Sequence, residues 1–116
     1  MAKEVVVHTV LITFYTGTPE EKRREILARF AKLGEECGGV NAGILGWAVK
    51  SNLDLSKKKH VSLMQAAIFE DVEAFQAFRA HDKHARLRNE LRELADWISG
   101  DIVVERSGLK QVLKNI

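Results

Sequence analysis

The chain has 116 residues, the size of one domain that can bury a substantial hydrophobic core. Hydrophobic residues make up 46% and charged residues 29%, which is typical of a folded globular domain and excludes a disordered chain. The net charge of +2 is too small to predict a nucleic-acid partner. No apolar run reaches the roughly 18 residues of a membrane span, so no membrane association is predicted.

Cys37 is the single cysteine, so no internal disulfide can form and a reducing compartment is favoured. The N-terminal apolar run contains His8 and Thr9 and leads into a capped helix, unlike a secretory signal. We therefore expect a cytoplasmic protein. Cys37 has no metal-ligand pattern around it and is interpreted as a structural thiol.

The first strand is predicted over residues 5–14, which are rich in β-branched and aromatic side chains. One face of this strand carries Val6, His8, Val10, Ile12 and Phe14. A helix start follows, with Thr18 as the N-cap, Pro19 in the first turn and Glu21 completing a capping box. The helix is predicted to stop before Gly38-Gly39. Its buried stripe consists of Ile26, Leu27, Phe30 and Leu33.

Two further strands are predicted over residues 44–51 and 61–69, joined by a polar, lysine-rich surface connection over residues 52–59. Trp47 is the largest side chain of the second strand. The third strand is apolar on both faces except at Gln65. Asp71 then caps a short helix, whose buried stripe consists of Ala74, Phe75 and Phe78.

A longer helix is predicted after His81, where the helical period restarts and continues to a stop at Gly100. One face of this helix carries His84, Leu87, Leu91, Leu94 and Ile98. The His84 side chain should therefore point into the protein, as the leucines do. The fourth strand is predicted over residues 101–107.

The element order β-α-β-β-α-β predicts an α+β, ferredoxin-like domain over residues 1–107, with a four-stranded antiparallel sheet and helices on one face. Three strands are apolar on both faces, and soluble monomers rarely expose so much apolar surface. We therefore expect a homodimer that packs through the open sheet face. Residues 108–116 form an amphipathic tail, predicted to associate with the dimer. Its helically spaced apolar residues are Leu109, Val112, Leu113 and Ile116.

Three motifs resemble the stress-responsive A/B barrel (Dabb) family: residues 8–14 of the first strand, the Phe69-Glu70-Asp71 turn and the His81-x-x-His84 corner. The resemblance covers residues 5–107. It implies a dimeric α/β barrel in which each protomer holds a cavity between its sheet and its helices. By that resemblance, His8 and His84 line the cavity.

One plant branch of that family is a polyketide cyclase with the corner histidine as its base. The tyrosine and the extra histidine that support the base correspond to Phe78 and Leu63 here, so both polar groups are missing. The family proline after the first corner histidine is replaced by Asp82, which is still favourable at a helix start. The resemblance therefore implies the fold more strongly than the cyclase chemistry.

Three classes of function remain open. The favoured class is a protein that holds a small apolar or aromatic molecule in the cavity. The second is a cofactor-free enzyme (polyketide cyclase-like, isomerase or monooxygenase) that uses His84 as general base with help from His8. The third is a structural, stress-associated oligomer. The expected ligand-contacting residues are Val10, Ile12, Phe30, Trp47, Phe78, Leu87 and Leu91.

No metal or cofactor is predicted. His81 and His84 are three residues apart, a spacing that can present two imidazoles together on a helix. The pair straddles a predicted corner, however, and His60 lies outside any ligand spacing. His60 follows three lysines and is expected to be incidental.

Overall fold

The computed structural model describes residues 3–53, 56 and 60–114. The strands are β1 (Glu4–Phe14), β2 (Ile44–Ser51), β3 (Leu63–Phe69) and β4 (Ala95–Glu105). The helices are α1 (Glu20–Glu36), α2 (Val72–Arg79), α3 (Asp82–Leu91) and α4 (Arg106–Leu113), with a short 3-10 helix at Gly39–Ala42. No helix in the described part of the chain is both long and apolar enough to cross a membrane.

The four strands form one antiparallel sheet in the order β2-β3-β1-β4. This order and the alternation with helices confirm the predicted ferredoxin-like fold. The alternation predicted that Val6, His8, Val10, Ile12 and Phe14 share one face of β1, and the structure shows this to be the inner face, with all five residues buried. The helices bury Ile26, Phe30, Leu33, Phe75, Phe78, Leu87 and Leu91 against this face.

The N-cap prediction at Asp71 is confirmed, because its side chain accepts a hydrogen bond from the Ala74 backbone N–H at 2.8 Å. The capping prediction at Thr18 is wrong. Helix α1 begins at Glu20 after Pro19 and has no side-chain cap. The Thr18 hydroxyl instead donates to the Tyr15 carbonyl at 2.8 Å, which closes the turn between β1 and α1.

The long helix predicted up to Gly100 is shorter in the structure. Helix α3 ends at Leu91, and β4 begins at Ala95 rather than at residue 101. All eleven residues of β4 pair with β1, and Gly100 lies opposite Thr9 in the middle of the strand. The pairing supplies hydrogen-bond partners for backbone N–H and C=O groups along the whole edge of β1. This gain outweighs the local helical preference indicated by the spacing of Leu94 and Ile98.

The outer face of the sheet is apolar, and α4 approaches it only near Val104 among the described residues. Ile98 is 75% exposed, Ile102 is 61% exposed and Met64 is 39% exposed. Strand register places these side chains beside Val7 and Leu11 of β1, which are only partly buried. The expected second apolar face is therefore present in this protomer.

The C-terminal tail is helical from Arg106, two residues before the predicted start of the tail. Leu109 is partly buried, and Leu113 is 49% exposed. The predicted contributions of Ile116 and of the Val112 side chain lie outside the described residues. Most of the predicted connection over residues 52–59 also lies outside them.

Candidate ligand-binding cavity

A cavity of about 150 Å³ lies between the inner face of the sheet and helices α1, α2 and α3. Strands β1, β3 and β4 supply one side, and the helices supply the other. The residues that line it are His8, Val10, Phe30, Leu33, Gln65, Phe75, Phe78, Arg79, His84, Leu87, Arg88, Leu91, Trp97, Ser99 and Asp101. The lining therefore combines an apolar wall with a small set of polar and charged groups.

Five of the seven expected ligand-contacting residues lie in this lining, namely Val10, Phe30, Phe78, Leu87 and Leu91. Ile12 and Trp47 lie outside it. Ile12 has no exposed surface and is packed in the core. Trp47 packs over α1, where its indole N–H donates to the Phe30 carbonyl at 3.2 Å. Trp47 thus packs against the core rather than lining the cavity, whereas Trp97 on β4 does line it.

His8 is buried on β1, and its Nδ1 is hydrogen-bonded to the Asp101 carboxylate. The two residues are direct partners in the β1–β4 register. The His8 ring also packs on Phe75, with 5.1 Å between the ring centroids. The sequence analysis did not identify Asp101 as a partner, because strand composition alone does not specify the register between strands that are distant in the chain.

His84 lies in the first turn of α3 and lines the cavity, as expected, with its ring centroid 4.7 Å from that of Phe78. Its Nδ1 is buried and has no hydrogen-bond partner among the described residues. Burial lowers the pKa of His84 to about 4, with smaller contributions from the charge of Arg88 and from His8. The imidazole is therefore neutral at physiological pH.

Gln65 and Arg88 are polar lining residues that the sequence analysis did not assign to the site. The Gln65 side chain is fully buried, and within the described structure neither atom of its amide has a hydrogen-bond partner. The Nε atom of Arg88 is also buried without one. Two signals were available: Gln65 interrupts an apolar strand, and Arg88 follows His84 by one helical turn.

His81 has a structural position at the start of α3. Its Nδ1 accepts a hydrogen bond from the Lys83 backbone N–H at 3.1 Å, so it caps the helix. Residues 3–53, 56 and 60–114 contain no cluster of three or more His, Cys, Asp or Glu side chains that could hold a metal ion. Cys37 is buried, and burial raises the pKa of its thiol, as for a structural cysteine.

The positions that carry the supporting tyrosine and histidine in the plant cyclase lie in different surroundings. Phe78 adjoins His84 in the cavity but has no hydroxyl to offer. Leu63 is 3% exposed and belongs to the core. The cavity therefore offers a different polar set, which comprises His8, Asp101, His84, Gln65, Arg88, Arg79 and Ser99.

Solved structures with a similar fold come from bacteria and plants. A dimeric ferredoxin-like protein of unknown function from Thermobifida fusca aligns with a TM-score of 0.74 at 14% identity, covering 88% of this chain and 92% of that chain. A hydroxynitrile lyase from Passiflora edulis aligns with a TM-score of 0.73 at 13% identity, covering 90% of this chain and 96% of that chain. The cofactor-independent oxygenase SnoaB from Streptomyces nogalater aligns with a TM-score of 0.64 at 19% identity, covering 90% of this chain and 96% of that chain.

At these identities the structural similarity shows the fold alone. A comparison with curated proteins found no match. The family model of the stress responsive A/B barrel domain matches residues 6–104, which is most of the chain. The match includes β2, β3 and the three helices around the cavity, together with most of β1 and β4. On this evidence, the chain belongs to the stress responsive A/B barrel (Dabb) domain family.

Proposed function

We propose that the chain forms a homodimer in which each protomer binds a small hydrophobic or aromatic molecule in the cavity between its sheet and its helices. The apolar wall, which includes Phe30, Phe78 and Leu91, suits a ring or a short aliphatic body. The volume of about 150 Å³ matches that of engineered apolar cavities, which hold one benzene-sized ring. The expected ligand is therefore a single-ring compound.

The observation that carries this proposal is the buried Gln65 amide. A buried polar group without a partner costs about 1–3 kcal/mol. Gln65 has no exposed surface, and neither of its amide atoms is paired within the described residues. A molecule in the cavity would supply that partner, and the His84 Nδ1 offers it a second polar contact. Such convergent polar groups in an apolar cavity orient a ligand.

The dimer is supported by the exposed apolar side chains on the outer face of the sheet. Ile98, Ile102 and Met64 together form an exposed apolar surface of a kind that a monomer rarely leaves in water. The Thermobifida fusca relative of this fold is a dimer. Packing the two outer faces together would form a barrel from two sheets. A single cysteine fits a reducing compartment, and we propose that this compartment is the cytoplasm.

The binding proposal is tested by ligand-observed NMR with toluene and benzyl alcohol. Ser99 is exposed on β4 and lines the cavity, so a Ser99→Phe substitution would occupy part of its space. Ser51 is exposed on the other edge strand and lies outside the lining, so Ser51→Phe is a matched control. We expect Ser99→Phe to weaken binding by about tenfold or more and Ser51→Phe to leave it unchanged. Absence of binding, or equal effects of the two substitutions, would overturn the proposal.

A cofactor-free enzyme is the second candidate, and it is favoured by the position of His8 and Asp101 beside His84. A carboxylate on Nδ1 of an imidazole orients the ring and leaves Nε2 to accept a proton. His84 is a weak base, because its pKa of about 4 lies well below the neutral pH at which a general base works best. His8 would then act as the base, and His84 would bind the substrate.

Proton exchange tests this candidate without a known substrate. A base in the cavity would remove an α-proton from acetophenone and return deuterium from D2O, which NMR detects as loss of the methyl signal. We expect His8→Gln to abolish the exchange and His84→Gln to reduce it. Exchange at the buffer rate with the wild-type protein would leave ligand binding as the function of the cavity.

A further inference from the structure

The charged groups that line the cavity are unequally paired. The Asp101 carboxylate is bound by His8 Nδ1. The Arg88 guanidinium forms no ion pair with any described residue, and its Nε is buried without a hydrogen-bond partner. The Arg88 residue as a whole is partly exposed, so the unfavourable burial falls on its Nε, which a hydrogen-bond acceptor within reach would satisfy. The structure therefore contains a positive charge with an open position for an anion.

Arg88 lies on the cavity side of α3, one turn after His84. It is close enough to His84 that its charge helps to lower the pKa of that imidazole. His84 consequently stays neutral and does not compete with Arg88 for an anion. The guanidinium is the group in this part of the lining that keeps its full charge at every physiological pH.

Gln65 faces the same cavity from β3. Its Nε2 is a buried donor with no acceptor among the described residues. A carboxylate oxygen is the acceptor that amide and guanidinium N–H groups bind most strongly. Arg88 and Gln65 thus bring unused donors to one cavity from opposite layers of the fold, while Phe30, Phe78 and Leu91 offer apolar surface to the rest of a ligand.

We propose that the cavity selects a small aromatic monocarboxylate, with its carboxylate bound by Arg88 and Gln65 and its ring against the apolar wall. This inference rests on the proposed binding function and adds the charge and the headgroup of the ligand. Asp101 also lines the cavity, and its negative charge disfavours a second anionic group on the ligand. Arg79, which packs over the Phe75 ring at 5.6 Å, adds positive charge to the lining.

The test compares benzoate, benzyl alcohol and acetate by isothermal titration calorimetry at constant ionic strength. Benzoate and benzyl alcohol share a ring and differ in charge, whereas acetate has the carboxylate without the ring. We expect benzoate to bind at least tenfold more tightly than either of the other two. Equal affinities for benzoate and benzyl alcohol in the wild-type protein would overturn the inference, and this comparison needs no variant to fold.

Variants then identify the headgroup contacts. Arg88→Gln should weaken the binding of benzoate by about tenfold or more and leave the affinity for benzyl alcohol within about twofold of wild type. Arg92→Gln removes an exposed guanidinium from the next turn and should change neither affinity. Gln65→Leu should weaken the binding of benzoate less than Arg88→Gln does, because it removes a neutral hydrogen-bond donor rather than a charged one. If Arg88→Gln weakens both ring compounds equally, Arg88 does not select for charge.

The outcomes separate the two proposals. If neither ring compound binds, the proposed function fails and this inference fails with it. If benzyl alcohol binds as tightly as benzoate, the cavity binds neutral rings and only the inference about the carboxylate is overturned. If acetate binds as tightly as benzoate, the donors act as a simple anion site and the apolar wall takes no part.

Discussion

The imidazole of His8 and the carboxylate of Asp101 are hydrogen-bonded in the cavity although they lie 93 residues apart in the chain. They meet because β1 and β4 are neighbours and the two residues are direct partners in the antiparallel register. The contact joins an edge strand to the centre of the sheet at the site where the proposed ligand lies. It also fixes the orientation of a buried imidazole.

Replacing Asp101 with alanine should destabilise the fold by about 1–2 kcal/mol, because a buried His8 N–H would lose its acceptor. Urea unfolding measures this change. The control is Glu105→Ala on the exposed end of the same strand, which should stay within about 0.5 kcal/mol of wild type. Equal losses in the two variants would show that the His8–Asp101 hydrogen bond contributes nothing specific.

His84 should make stability depend on pH in the acid range. Its pKa is about 4 in the folded protein and about 6.5 when unfolded, so the unfolded chain binds the proton more readily. The stabilisation is complete above about pH 6.5 and is lost as the pH falls towards 4. Because His84 is partly exposed, we expect this loss to be about 1–2 kcal/mol rather than the full value of the shift.

The measurement is the difference in unfolding free energy between wild type and His84→Gln at pH 7 and at pH 4.5. The variant lacks the titrating imidazole, so it should lose less stability on acidification than the wild-type protein does. An NMR titration of the His84 ring provides an independent check. Parallel pH profiles for the two proteins would contradict the low pKa.

Gly34→Ala should destabilise the protein by about 1–3 kcal/mol, although alanine is the better helix former. A Cβ at this position would lie 2.6 Å from the Trp47 ring, which is packed between α1 and α2. Gly108→Ala in α4 is the matched control, since its Cβ would meet its nearest neighbour at 3.9 Å. Thermal unfolding measures the stability of both variants. Adding Trp47→Leu to Gly34→Ala should recover part of the lost stability.

Ile98→Lys combined with Ile102→Lys should convert the proposed dimer into a monomer, because it places two charges on the outer face of the sheet. Sedimentation velocity gives the oligomeric state directly. Val72→Lys changes an exposed apolar residue on α2, which lies on the other side of the sheet, and should leave the dimer intact. A wild-type protein that sediments as a monomer at micromolar concentration would rule out this interface.

Much of the fold could be predicted from local patterns. The two-residue alternation in β1 correctly placed His8, Val10 and Ile12 on one face, and Asp71 was identified as a cap from residue type and position alone. These predictions succeed because alternation and capping depend on residues only a few positions apart. The inward direction of His84 follows in the same way from its spacing to Leu87 and Leu91.

The candidate site was less predictable. Ile12 and Trp47 have the apolar character of cavity residues, but packing against neighbouring elements removes both from the lining. Gln65 interrupts an apolar strand and Arg88 follows His84 by one helical turn, but neither feature shows that the two residues line one cavity. Their importance arises only when a strand and a helix bring their donors to one cavity.

By itself, the sequence determined the order of strands and helices, the ferredoxin-like topology and the two apolar faces of the sheet. Only the tertiary structure decided where β4 begins, that Asp101 pairs with His8 and which polar groups remain unpaired around the cavity. Local conformation depends on neighbouring residues. Strand register and cavity shape depend instead on contacts between distant segments, whose free energies are settled together when the chain folds.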